Sequence, residues 1–382
     1  MEGIMAWNKI SESIKRHRRY LHTIPELGFE EFKTSKYIRE QLELLGYNPI
    51  TVLNTGLLVF IEGTEPETYA FRADIDALPI QEETGVEFAS THDGCMHACG
   101  HDGHTSILLG FAEYLKDFKP KKNILLIFQP AEEGPGGAKF IVDEGYLSKY
   151  NVKAVFGLHL FPSLAEGVIG TRPGPFMAQT GEIDIIIRGK SGHGAMPHTT
   201  IDTVLITAKL IEAYQSIVSR NVSPLDSAVL TFGKIEGGGA RNIIAETVKI
   251  EGTCRTFSKE LFEKIVKRME DIHRGFELAY GVEITSDIRP MYPPVVNTPY
   301  LYEKFRNATQ DFEYVELEPV MLAEDFAYYQ EAVSGLFFFL GVKNEELGYV
   351  NPLHNCGFNF VEEVLVEGVK VYSKLLEEFE II

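Results

Sequence analysis

Ten residues, Cys95-Met-His-Ala-Cys-Gly-His-Asp-Gly-His104, hold two thiols, three imidazoles and a carboxylate. In Cys99-x-His101 the i, i+2 spacing puts a thiolate and an imidazole on one side of an extended segment, where both can face one metal ion. Alone this cluster is ambiguous, because a closed structural zinc site uses the same residue types. Further along come the adjacent acids Glu132-Glu133, then His159 and His354. A set of Cys99, His101, Glu133, His159 and His354 is larger than one tetrahedral structural zinc needs. It suits two divalent cations held close together, the arrangement that activates water and clamps both oxygens of a hydrolytic transition state. Two neighbouring acids are costly at one site unless a cation neutralises them. One of the pair can ligate while the other accepts the water's proton. Each residue also has a plainer reading: a solvated acidic turn for Glu132-Glu133, a core histidine at a strand end for His159, and no signal of its own for His354.

The elements that must position these side chains read as α/β. A helical start runs from 11 to 45, broken at Pro25. Short β-type runs follow at Gly56–Ile61 and Tyr69–Ile75, the second stopped by Asp74-Ile-Asp76-Ala-Leu-Pro79. After the Cys/His stretch, Ile107, Leu108, Phe111 and Leu115 share one helix face. The continuous apolar run Asn123–Phe128 predicts a strand buried in a parallel sheet. Helix 138–144 and strand 153–158, ending at His159, complete the alternation. Asp76, Glu132, Glu133 and His159 are thereby expected at or just beyond the carboxyl ends of their strands, the edge where open α/β sheets place ligands.

From about residue 179 the order becomes β-α-β-β-α-β, the ferredoxin-like signature, with Ser258 capping the second helix. Prolines 173 and 175 before it, and 290, 293 and 294 after it, mark an inserted domain over 179–293. The catalytic part then comprises 1–178 and 294–382. Its last portion contains Ala323-Glu-Asp-Phe326, a Phe-rich strand around Gly335–Gly341, and an amphipathic helix from Glu362 to Phe379.

Two domains also suit a chain of 382 residues. A balance of 55 acidic against 36 basic residues and a net charge of −19 argues against nucleic acid or an anionic membrane as partner and favours a soluble protein. The first twenty residues lack the continuous apolar core of a secretory signal, and no run reaches membrane-spanning length. Four cysteines are too few for a disulfide scaffold in this length and fit a reducing cytoplasm. Cys95, Cys254 and Cys356 read as small core fillers, and His92, His97, His104, His198 and His273 as structural or as supports behind the ligands.

The sequence resembles the di-metal amidohydrolases of the aminoacylase/carboxypeptidase family, whose fold is a mixed-sheet, zinc-peptidase-like catalytic domain. Within it the resemblance is to the branch of N-acetyl-diaminopimelate deacetylases, hippurate hydrolases and indole-3-acetyl-amino-acid hydrolases. The matching segments are His17–Glu26, Phe71–Pro79, Met96–Thr105, Phe128–Gly134, Gly157-Leu-His159, Ser191–His198, Asn242–Glu246, Glu324-Asp-Phe326 and Leu353-His354, in the family's order. The resemblance implies two divalent ions (zinc, manganese, cobalt or nickel) on Cys99, His101, Glu133, His159 and His354. It implies a general base at Glu132, and Asp76 as the acid that orients a ligating imidazole. Asp74 stands where many wider-family members carry a histidine. The inserted domain is expected to make a homodimer, with His193 reaching the partner's site to hold the oxyanion. Asn242 and Arg255 match positions that bind the substrate's carboxylate, for which a guanidinium is a natural partner; by itself Arg255 reads equally as a strand residue in a salt bridge.

The expected activity is hydrolysis of an N-acyl amino acid, in the cytoplasm. The pattern Phe339–Tyr349 followed by Leu-His354-Asn most resembles the bacterial N-acetyl-diaminopimelate deacetylases, which implies a place in lysine and cell-wall precursor synthesis. The alternatives are an aromatic-acyl or indole-acyl amino acid hydrolase, a dipeptidase or carboxypeptidase on the same di-metal site, and a binding protein that has lost catalysis.

Overall fold

The structure, a computed structural model, describes residues 2–382, with side chains from Trp7 onward. The chain divides into two compact units. One comprises Met1–Gly174, Val296–Glu318 and Asp325–Ile382, the other Pro175–Val295 and Pro319–Glu324. Residues 319–324, which the sequence groups with the catalytic part, thus cluster with the second unit.

In the first unit an eight-stranded mixed sheet runs, in spatial order, Ile50–Val52, Gly56–Ile61, Lys122–Gln129, Glu65–Asp74, Val152–Ala165, Ser334–Lys343, Ile169–Thr171 and Tyr314–Glu316. Its centre is parallel: Lys122–Gln129, Glu65–Asp74, Val152–Ala165 and Ser334–Lys343 pair in one direction. Parallel strands are covered on both faces, and Asn123 to Gln129 is buried at every position. Helices Glu2–His22, His101–Leu115 and Leu365–Glu378 pack together beside this sheet. Phe71 joins the layers, stacking within 4.8 Å of Phe111, 5.0 Å of Tyr372 and 5.4 Å of Phe156, centroid to centroid. Complete burial of aromatic side chains like these supplies about 1.5–3 kcal/mol each.

The second unit contains a four-stranded antiparallel sheet in the order Ala228–Gly237, Thr247–Thr256, Gln179–Arg188, Glu283–Pro290. Helices Thr203–Asn221 and Lys259–Tyr280 supply the remaining members of the β-α-β-β-α-β order. Both start on side-chain caps: Asp202 accepts from the N–H groups of Val204 and Leu205, and Ser258 from that of Leu261. The isoleucines at 183, 185 and 187 alternate onto one buried face with Leu210, Tyr214, Ile265 and Met269.

One positional expectation is corrected. His159 lies inside its strand, which runs on to Ala165 instead of ending at Leu158. The neighbouring strand Glu65–Asp74 pairs only as far as Arg72 opposite Gly157. Beyond that point the strand is held on its other side alone, by Ser334–Lys343, so His159 passes the sheet edge while remaining β. Cys95 and Cys356 are partly exposed, and only Cys254 of the three non-ligand cysteines is a core filler.

Candidate metal centre

The ligand-type side chains arrive from four separate pieces of backbone. Cys99 precedes helix His101–Leu115, whose start is made possible by Gly100 at φ +85°. Glu132 and Glu133 occupy the turn after strand Lys122–Gln129, and His159 comes from the strand described above. His354 is brought in by its own backbone: its N–H donates to the carbonyl of Ala98 at 2.9 Å, with φ at +61°. Potential ligand atoms group as Cys99, His101 and His159, as Cys99, Glu133 and His354, and as His101, Glu132 and Glu133, all within 4.8 Å in each group. Cys99 and His101 belong to two groups each, so the groups merge into one centre wide enough for two ions.

Asp76 locks two parts of this centre together. Its carboxylate accepts the Glu133 N–H at 2.9 Å through Oδ2, while Oδ1 lies 3.2 Å from His101 Nδ1. The Asp76 carbonyl also accepts from that nitrogen, at 3.0 Å. His101 Nδ1 therefore carries the proton and Nε2 is the lone-pair side. In the same way His159 Nδ1 donates to the Leu160 carbonyl at 2.7 Å, leaving Nε2 facing Cys99 Sγ at 3.3 Å.

The residues fit divalent cations. Among the described residues, His101 Nε2 and Glu133 Oε1 are buried without a hydrogen-bond partner, while His354 Nε2 lies 3.2 Å from Glu133 Oε1. Buried polar atoms normally find partners, and these are the atoms a metal would take. The electrostatics agree. Burial, then the carboxylates of Glu133 and Glu132, push the Cys99 thiol well above its usual value. Burial and the nearby His104 hold His159 well below its own. Against burial, Asp74 and Asp76 raise His101 to about 10. A pocket with this surplus of carboxylate is one in which a cation replaces protons.

Asp74 is already engaged. It accepts from Arg72 Nη1 at 2.8 Å and from His104 Nδ1 at 2.6 Å, and His104 Nε2 in turn accepts the Leu160 N–H at 2.9 Å. His104 is thus a brace between the helix and the His159 strand. Two more residues escaped the sequence reading. Asp325 donates its backbone N–H to Glu132 Oε1 at 3.4 Å, and its carboxylate accepts from Arg72, Gln129 and the Ala138 N–H. Glu31 accepts the N–H of Ala131, next to Glu132. Asp325 fell within a family segment without an assigned part; Glu31 carried no signal at all.

The other expected residues lie in the second unit. His193 and Asn242 adjoin there: Gly194 donates to the Asn242 carbonyl at 2.8 Å, and His193 pairs with Ile243. Arg255 sits half-buried opposite Thr180 and Val229, and among the described residues it makes no ion pair. Burial lowers the pKa of its guanidinium, which fits a group that receives an anion.

The model of peptidase family M20/M25/M40 matches residues 70–378. This chain belongs to that family. Two M20 relatives are N-acetyldiaminopimelate deacetylases. The one from Shouchella clausii is 43% identical over 330 residues, 85% of this chain and 88% of its own. The one from Bacillus subtilis is 42% identical over 362 residues, covering 93% and 96%. Among solved structures, a protein from methicillin-resistant Staphylococcus aureus superposes with a TM-score of 0.93 at 34% identity, covering 99% of each chain. A dinuclear metal-binding M20 peptidase of Bacillus subtilis gives 0.86 at 33% identity, covering 98% of this chain and all of the other.

Proposed function

We propose that this M20 chain is a metal-dependent deacylase of N-acyl amino acids, with N-acetyldiaminopimelate as its substrate. The convergence of Cys99, His101, Glu133, His159 and His354, with Glu132 beside them, carries the reading. The deacetylases of 42–43% identity support the choice of substrate. Two divalent cations at this centre would polarise the amide carbonyl and make water a nucleophile near neutral pH.

The chain's own residues do the rest. Glu132 takes the proton from water and delivers it to the departing amine nitrogen. The Asp325 N–H holds one of its oxygens, Oε1. Asp76 fixes the His101 tautomer. His193, from a partner subunit, stabilises the oxyanion, and Asn242 with Arg255 receives the substrate's carboxylate. Acetate and diaminopimelate leave, in lysine biosynthesis in the cytoplasm. The homodimer forms through the second unit, whose edge strand Ala228–Gly237 exposes Val229 and Ile235.

A substrate panel on metal-loaded protein tests this. N-acetyldiaminopimelate is expected to turn over faster than hippurate, an indole-3-acetyl amino acid or a dipeptide, and hippurate as the best substrate would overturn the choice. Glu132→Gln should lower kcat by about 10²–10⁴ while metal content, read by plasma mass spectrometry, stays at two ions. Full activity in that variant would end the mechanism, and a monomer by sedimentation equilibrium would remove the role of His193.

A further inference from the structure

Glu132 projects from a turn with an unusual backbone. Ala131, just before it, has φ +56°, a left-handed conformation that residues with a β-carbon rarely adopt. The turn is enclosed on two sides. A β-carbon on Gly28 would come within 2.7 Å of the Gly134 carbonyl oxygen and 3.0 Å of Ala131 Cβ; one on Gly137 would lie 1.9 Å from the Pro130 oxygen. The Ala131 carbonyl accepts from the N–H groups of Gly136 and Gly137, both at 3.0 Å.

The Ala131 N–H goes to Glu31. Glu31 Oε1 accepts it at 2.9 Å, while Oε2 accepts the Thr55 hydroxyl at 2.7 Å. Glu31 directly precedes helix Phe32–Leu44, yet its side chain makes no capping bond to that helix. It is fully buried, and both oxygens are directed to residues distant in sequence. A buried carboxylate held only by neutral donors is expensive; an apolar side chain would serve packing better.

We propose that Glu31 is a positioning residue for the reaction: by clamping the left-handed turn at Ala131 it sets where the Glu132 carboxylate stands. The side-chain partners of Glu31, the Thr55 hydroxyl and the Ala131 N–H, include none of the ligand atoms. The inference rests on the reading of Glu132 as general base.

The test compares wild type, Glu31→Ala, Glu31→Gln and the double variant Glu31→Ala/Ala131→Gly, all metal-loaded, on N-acetyldiaminopimelate and a simple N-acetyl amino acid. A misplaced base costs turnover rather than binding, so Glu31→Ala should lose about tenfold or more in kcat with KM little changed. Its metal content should equal that of wild type. Glu31→Gln keeps an acceptor for the Ala131 N–H and should retain most of kcat. Glycine at 131 adopts the turn without a clamp, so the double variant should recover a substantial part of the loss. If Glu31→Ala fails to fold, Thr55→Val, which frees one side of the clamp, should show the same selective fall in kcat. Wild-type kcat in whichever of these two variants folds, or a loss confined to KM or to metal content, overturns the proposal. Wild-type protein inert toward every N-acyl amino acid would instead remove the general-base reading, and the proposal with it.

Discussion

Glu31 has a second consequence, for stability. Burial, opposed by the Thr55 hydrogen bond and aided by the Asp76 charge, pushes its pKa from 4.5 up to about 7. A carboxyl group with a raised folded-state pKa binds its proton more tightly in the native protein, so stability is fullest below pH 4.5 and is lost as pH rises through 7. In metal-free protein, urea unfolding at pH 5 and pH 8 should therefore show a larger decline for wild type than for Glu31→Gln, and equal declines would contradict it. What the sequence discloses at this scale depends on distance along the chain. Cys99 and His101 advertise themselves by spacing, and Glu132 with Glu133 by adjacency. His354 reaches Cys99 only through a backbone bond to Ala98. Glu31 meets its partner across 100 positions, and no local pattern encodes a contact of that kind.

Elements were legible where their period was long enough to count. The strand Gly56–Ile61 has the expected bounds, and Ser258 caps its helix as expected. Strands Ile50–Val52, Ile169–Thr171 and Tyr314–Glu316 were not foreseen, because three residues hold too little alternation to register. The sequence reading ends the strand Val152–Ala165 at Leu158 with His159 after it, whereas pairing with Ser334–Lys343 carries the strand onward. The packing of these elements on one another makes Phe71 the sensitive position. Phe71→Ala should cost about 3–5 kcal/mol, since its cavity is walled by two strands and two helices that cannot all collapse inward. Phe71→Leu should cost clearly less. Denaturant midpoints at constant slope check both, and a loss under about 1 kcal/mol for the alanine variant would show that the layers relax freely.

Across the molecule, the metal centre ties together backbone from residues 99, 133, 159 and 354, so ions there stabilise the fold as well as the reaction. A ligand present at about a thousand times its Kd adds roughly 4 kcal/mol. Chelation should accordingly abolish turnover and lower Tm, and re-addition of metal should restore both. An unchanged Tm on complete removal, verified by metal analysis, would mean that the five side chains hold their places unaided. Charge gives the same expectation: Glu132 and Glu133 stand side by side beside His101, and two adjacent carboxylates are stabilised by a cation between them.

The assignment of Pro319–Glu324 to the second unit bears on any attempt at dissection. An ordinary insertion is stitched to its host by two strands of chain, and cutting both releases it. Here the polypeptide crosses four times, at 174/175, 295/296, 318/319 and 324/325. Splicing out 175–295 would leave an orphaned hexapeptide whose next residue, Asp325, holds Glu132. On the proposed mechanism a truncated protein would thus be disturbed at its general base even with Cys99, His101, Glu133, His159 and His354 intact, and a graft of this scaffold must carry both excursions or neither.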